Sequence, residues 1–117
     1  MGACARTEHT PVDLELDVDV ALPDSASNVR ICVTDGLART FGAGDGRYAL
    51  TGLDPQSPEV TVDLLDPDGL VTGRVGPIVL DEPFVVASLD ACDACEPCIG
   101  GGPPAPNPLT LGVRFRP

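Results

Sequence analysis

The chain contains no lysine and no tryptophan, only one histidine, and no long apolar run. With lysine missing, seven arginines stand against 18 acidic residues and the net charge is −11. Phosphate binding needs a basic footprint, so nucleic acid is not an expected partner. An anionic membrane surface repels the domain for the same reason. Strand cross-links through lysine isopeptide bonds are excluded outright. His9 lies close to the N-terminus, which leaves Ser25, Ser27, Ser57 and Ser88 without an imidazole base in the body of the chain. Serine-triad chemistry is therefore not expected, and no catalytic residue is assigned. Nothing approaches the ~20 consecutive apolar residues of a membrane-spanning helix. Aromatics make up 3% of the chain, so its core must be aliphatic.

What is present points to β structure. Apolar residues reach 43%, while Gly and Pro contribute 13 residues each, a composition of short strands joined by turns. The clearest pattern is "VDLELDVDVAL", where Val12, Leu14, Leu16, Val18, Val20 and Leu22 alternate with Asp13, Glu15, Asp17 and Asp19. A period of two predicts a half-buried strand. Acids alternating along one strand lie ~7 Å apart and do not converge on calcium as a tight loop does. They read as a solvated face.

Further strands are expected at "NVRICVT", "ARTF", "RYALTGL", "EVTVDLL", "LVTGRV", "IVL", "FVVASL" and "LTLGVRFR". Asp45-Gly46 reads as a hairpin signal and "DPDG" as a turn. "GAGDG" lacks the glycine register and the following helix of a phosphate loop. The expectation is an all-β, two-layer antiparallel sandwich of about seven to eight strands. It has a tether over residues 1–11, one domain over 12–117, and a long Cys/Pro/Gly loop over 90–108. Phe41, Tyr48, Phe84 and Phe115 read as core. Arg114 and Arg116 suit the acidic face of the first strand if the two strands are neighbours.

The stretch from Asn28 to Leu65 resembles the carboxypeptidase regulatory-like domains, which have a transthyretin-like β-sandwich. The resemblance rests on the strand Val29–Val33, on Gly46-Arg47-Tyr48-Ala49-Leu50, on Thr51-Gly52-Leu53, and on the strand Glu59–Leu65. It implies that Tyr48, Leu50 and Leu53 are core residues and that the chain bends at Gly52. Pro55-Gln56-Ser57-Pro58 replaces the family's usual Pro-Gly. The resemblance implies an exported accessory or binding module and no particular chemistry.

Five cysteines remain to be explained. Met1-Gly2-Ala3-Cys4 resembles the end of a bacterial lipoprotein signal, which implies lipid on Cys4 and a periplasmic or outer-membrane-anchored protein. Cys32, Cys92, Cys95 and Cys98 are then even in number, as two disulfides require. Three connectivities are open: 32–92 with 95–98, 32–95 with 92–98, or 32–98 with 92–95. The competing reading is a thiolate site for zinc or iron–sulfur built from the same four residues. Asp93 and Glu96 would add charge to such a site, and a redox pair at Cys95–Cys98 lacks a helix N-terminus to activate it. The expectation is therefore a disulfide-stapled monomer without cofactor. It would be non-enzymatic, would touch membrane only through the lipid, and would bind an extracellular or periplasmic protein.

Overall fold

The computed structural model describes residues 14–34, 37–45, 47–53, 58–100 and 109–116. The expected tether and lipidation site, with Cys4 and His9, lie outside these residues. The described residues form nine strands: β1 (Leu14–Val18), β2 (Asn28–Val33), β3 (Ala38–Gly42), β4 (Arg47–Leu53), β5 (Glu59–Leu65), β6 (Val71–Val79), β7 (Phe84–Ala87), β8 (Asp90–Cys95) and β9 (Leu109–Phe115). The described residues hold no helix beyond a single 3-10 turn at Ala43–Asp45. The strands form a four-stranded sheet, β4-β9-β1-β7, and a five-stranded sheet, β3-β2-β5-β6-β8. The expected all-β sandwich is the observed fold.

Alternation decides which face each strand buries. In β1, Leu14, Leu16 and Val18 are buried while Glu15 and Asp17 face outward. Leu111, Val113 and Phe115 of β9 lie beside them in the same sheet, and Val29, Ile31 and Val33 of β2 with Val60, Val62 and Leu64 of β5 meet them from the other sheet. Each such side chain, fully buried, stabilises the fold by about 1.5–3 kcal/mol. The aromatic share of the core is one stack. The Tyr48 ring lies 5.6 Å from Phe41 and 6.3 Å from Phe115, and its hydroxyl donates to the Ala43 carbonyl at 2.7 Å. At Gly52 the backbone has φ 116°, a left-handed value, and the β4–β9 register shifts there. That bulge lets both Leu50 and Leu53 point inward.

Several expectations are corrected. β1 ends at Val18, and Val20 is 39% exposed, so the eleven-residue alternation overstates the strand. The four-stranded sheet is mixed rather than antiparallel, because β1 runs parallel to both β7 and β9. Alternation says which face is buried and nothing about direction. The hairpin expected at Asp45-Gly46 is not formed by the strands on either side, because β3 and β4 lie in different sheets; a 3-10 turn follows β3 at Ala43–Asp45, and Gly46 lies outside the described residues. "LVTGRV" and "IVL", apart from Leu70 and Leu80, belong to one strand, β6, whose Gly76 (φ 92°) sits where a Cβ would come within 2.6 Å of the Val60 carbonyl oxygen. Phe84 is 53% exposed rather than core, since edge strand β7 turns it outward. Finally, the first part of the expected loop 90–108 is strand β8, paired with β6. Residues 101–108 lie outside the described residues.

Candidate functional site: a strap across the five-stranded sheet

The outward face of the five-stranded sheet carries a polar row. Thr40, Arg30, Asp63, Arg74 and Asp90 are successive register partners on β3, β2, β5, β6 and β8. Basic and acidic side chains alternate in it, the arrangement that stabilises cross-strand pairs. Asp63 at its centre has no exposed surface. A buried carboxylate is tolerated only when its oxygens are fully partnered, and these are. Arg74 donates through Nε to Oδ1 at 2.6 Å and through Nη2 to Oδ2 at 2.9 Å, a bidentate pair. The Cys98 backbone N–H adds a third bond to Oδ2 at 2.7 Å. The hydrogen bonds from Asp63 hold the Arg74 guanidinium above its usual range, against the smaller opposing effect of burial. A raised arginine loses its contribution only when pH rises through that still higher value, so ordinary alkaline conditions leave this pair intact.

Over this row lies the segment that leaves β8. Its course can be followed strand by strand. The Glu96 carbonyl accepts from Arg74 Nη2 on β6 at 2.6 Å. The Cys98 N–H reaches Asp63 on β5, and the Cys98 carbonyl accepts from Arg30 Nε on β2 at 2.8 Å. Gly100 then sits on the start of β3, where a Cβ would come within 2.7 Å of the Ala38 Cβ. Residues 96–100 thus form a strap crossing the sheet from edge strand β8 to edge strand β3. Arg30 also donates through Nη1 to Thr40 at 3.0 Å, so one guanidinium ties the strap to the sheet and to its edge.

The cysteines complete the attachment. Cys32 pairs with Cys98 and Cys92 with Cys95, one of the three connectivities left open by counting. The Cα separations are 6.0 and 5.8 Å, ordinary for disulfides. Cys32 points outward from β2, as its position beside Arg30 predicts, yet the strap buries it to 3% exposure. The two bonds close very different rings, since their sequence separations are 66 and 3. A tetrahedral thiolate site would need all four sulfurs reduced and gathered at one point. They are instead joined in two separate pairs, and no group of three or more His, Cys, Asp or Glu among the described residues is placed to hold a metal ion.

Sequence reasoning finds the four cysteines but misses Asp63, Arg30 and Arg74. The available signal is the acid in "EVTVDLL", whose outward neighbours Thr61 and Leu65 are not charged. Arg114 meets its expected acids, with Nη2 3.9 Å from Glu15 and 3.8 Å from Asp17 across the parallel β1–β9 pair. The "DPDG" turn closes the β5–β6 connection, Asp66 Oδ1 accepting from the N–H groups of Asp68 and Leu70, both at 2.9 Å. No family model, curated protein or solved structure matches the chain. Function is read from the site itself.

Proposed function

We propose that this chain is a non-enzymatic, exported cell-envelope module whose contact surface is the strap at residues 96–100. One observation carries the reading: a disulfide ties the centre of this strap to β2, and a second closes the end of β8 from which the strap departs. Disulfides persist in oxidising compartments, which supports export. In this reading Cys4 is the lipid acceptor, and the protein sits in the periplasm or on an outer membrane, facing an extracellular or periplasmic partner. The likeness of residues 28–65 to carboxypeptidase regulatory-like domains fits an accessory module of this kind. A strap fixed at several points along its course presents its side chains with little conformational entropy left to lose on binding.

The test is intact mass of the exported protein, native and denatured, with and without reductant and alkylation. The expected result is the hydrogen deficit of two disulfides together with a lipid-sized increment on the peptide containing Cys4. A native species with free thiols and the added mass of zinc or an iron–sulfur cluster would overturn the reading.

A further inference from the structure

Ile99 is 86% exposed, more than any other large apolar side chain of the described residues. It stands between two anchored neighbours. Cys98 is held by its disulfide, by Asp63 and by Arg30, and Gly100 is pressed against Ala38. The side chain is therefore a fixed apolar knob, and the exposed acid Glu96 lies close by on the strap.

Elsewhere on the molecule there is a complementary hollow. A cleft of about 470 Å³ opens beside the end of β9, with Ala21, Leu22, Tyr48 and Phe115 in its wall and Arg114 and Arg116 at its border. Ala21 and Leu22 supply the reachable apolar surface of its floor, backed by Tyr48 and Phe115 at 1% and 7% exposure, whereas both arginines reach solvent. Arg30 and Arg74 are committed to the strap, and Arg39 lies 5.6 Å over the Phe41 ring. Arg116 is exposed at the cleft border, and Arg114, which also keeps Glu15 and Asp17 at 3.9 and 3.8 Å, still has a 53% exposed side chain there. Knob and cleft cannot meet within one copy. Gly100 lies against Ala38 at the start of β3, and the cleft begins at Ala43 and Gly44 just past its end. That run of strand spans ~16 Å.

We propose that the cleft's occupant is the strap of a second copy, with Ile99 on the apolar floor and Glu96 against the Arg114/Arg116 border. The inference rests on the strap being the contact surface and names its partner; it replaces the monomer expected from the sequence. Because knob and cleft differ, a single contact joins unlike surfaces, and unless the same two copies make it reciprocally each copy keeps one unused half. The net charge of −11 on each copy opposes approach at low salt. Association should therefore strengthen toward physiological ionic strength, where that repulsion is screened and apolar burial is not.

The experiment is sedimentation velocity on the oxidised full chain over a wide concentration range, with Ile99→Asp and Arg116→Glu variants. Both positions are exposed, and unchanged circular dichroism checks the fold. Wild type should self-associate, each variant alone should remain monomeric, and an equimolar mixture should form dimers that grow no further, because the mixture holds one good knob and one good cleft. Ile99→Ala should weaken wild-type association by about tenfold or more. A wild type that stays monomeric throughout would overturn the self-contact while leaving the strap open to a different partner. A wild type that associates while the mixture does not would also overturn it, by showing that another face is used. Loss of the mass deficit of two disulfides would instead strike the underlying reading.

Discussion

Asp63 and Asp17 occupy matching positions on the two sheets. Each is an outward-facing acid in a strand, and each is the register partner of an arginine on the neighbouring strand, Arg74 for Asp63 and Arg114 for Asp17. Their surroundings differ completely. Asp63 is sealed and accepts three hydrogen bonds, while Asp17 keeps a 27% exposed side chain, lies 3.8 Å from its arginine, and has an Oδ1 atom with no partner. What separates them is the strap. It excludes water from Asp63 and supplies the Cys98 N–H, which no strand could offer from that direction. A buried ion pair of this kind is a poor source of net stability, because desolvation offsets most of its attraction, but breaking it by half is expensive. The row therefore works as a lock for the strap, whereas the acids of β1, 23% and 27% exposed, stay partly open to solvent and one Asp17 oxygen is buried without a partner.

The strongest way to break the comparison is to free the strap. In the chain-entropy description, a bond closing a separation of 66 residues restricts the unfolded chain by about 4 kcal/mol. Replacing both Cys32 and Cys98 with Ala should lower the unfolding free energy in urea by about that amount, and amide exchange at position 98 should quicken. Asp63→Asn is the next largest. The amide would aim N–H groups at either Arg74 or the Cys98 N–H, leaving a charge without its counterpart. Arg74 retains 28% side-chain exposure and can regain water, which places the loss near the lower end, about 3 kcal/mol. Unfolding curves for Asp63→Asn and for Asp63→Asn with Arg74→Met should show partial recovery in the double variant. Removing Cys92 and Cys95 together should cost about 2 kcal/mol at most, because the closed ring is so short.

How much of this was legible depends on which physical signal each feature leaves. Burial leaves alternation, so Leu14, Leu16 and Val18, then Leu111, Val113 and Phe115, were readable as inward residues. The meeting of Arg114 with Glu15 and Asp17 was readable too, from opposite charges on two outward faces. Direction leaves no such trace, and the parallel placement of β1 was not foreseen. Strand β8 was hidden for another reason. "DACDAC" consists of small and polar residues with weak strand propensity, and it is held by pairing with β6 and by its own disulfide rather than by burial. Asp63 was unreadable because its burial comes from a segment 35 residues further along the chain. The cysteines were legible as an even set, but choosing among three connectivities required knowing that the strap crosses β2 at Cys98.

The smallest effect sharpens the comparison most. Asp17→Asn removes a charge beside Arg114 just as Asp63→Asn does beside Arg74, so sequence alone would rank the two changes equally. Arg114, however, has a 53% exposed side chain and keeps Glu15 at 3.9 Å, so it loses little when Asp17 becomes neutral. Exposed pairs of this kind contribute roughly 0–1 kcal/mol, and salt screens them. The new amide could place its NH2 at the buried, unpartnered oxygen position, turning an acceptor there into a donor. The expected change is within about 0.5 kcal/mol of zero and shrinks as salt is raised. A loss as large as that of Asp63→Asn would mean that the open sheet is locked as tightly as the strapped one, and the strap would no longer explain the difference between the two acids.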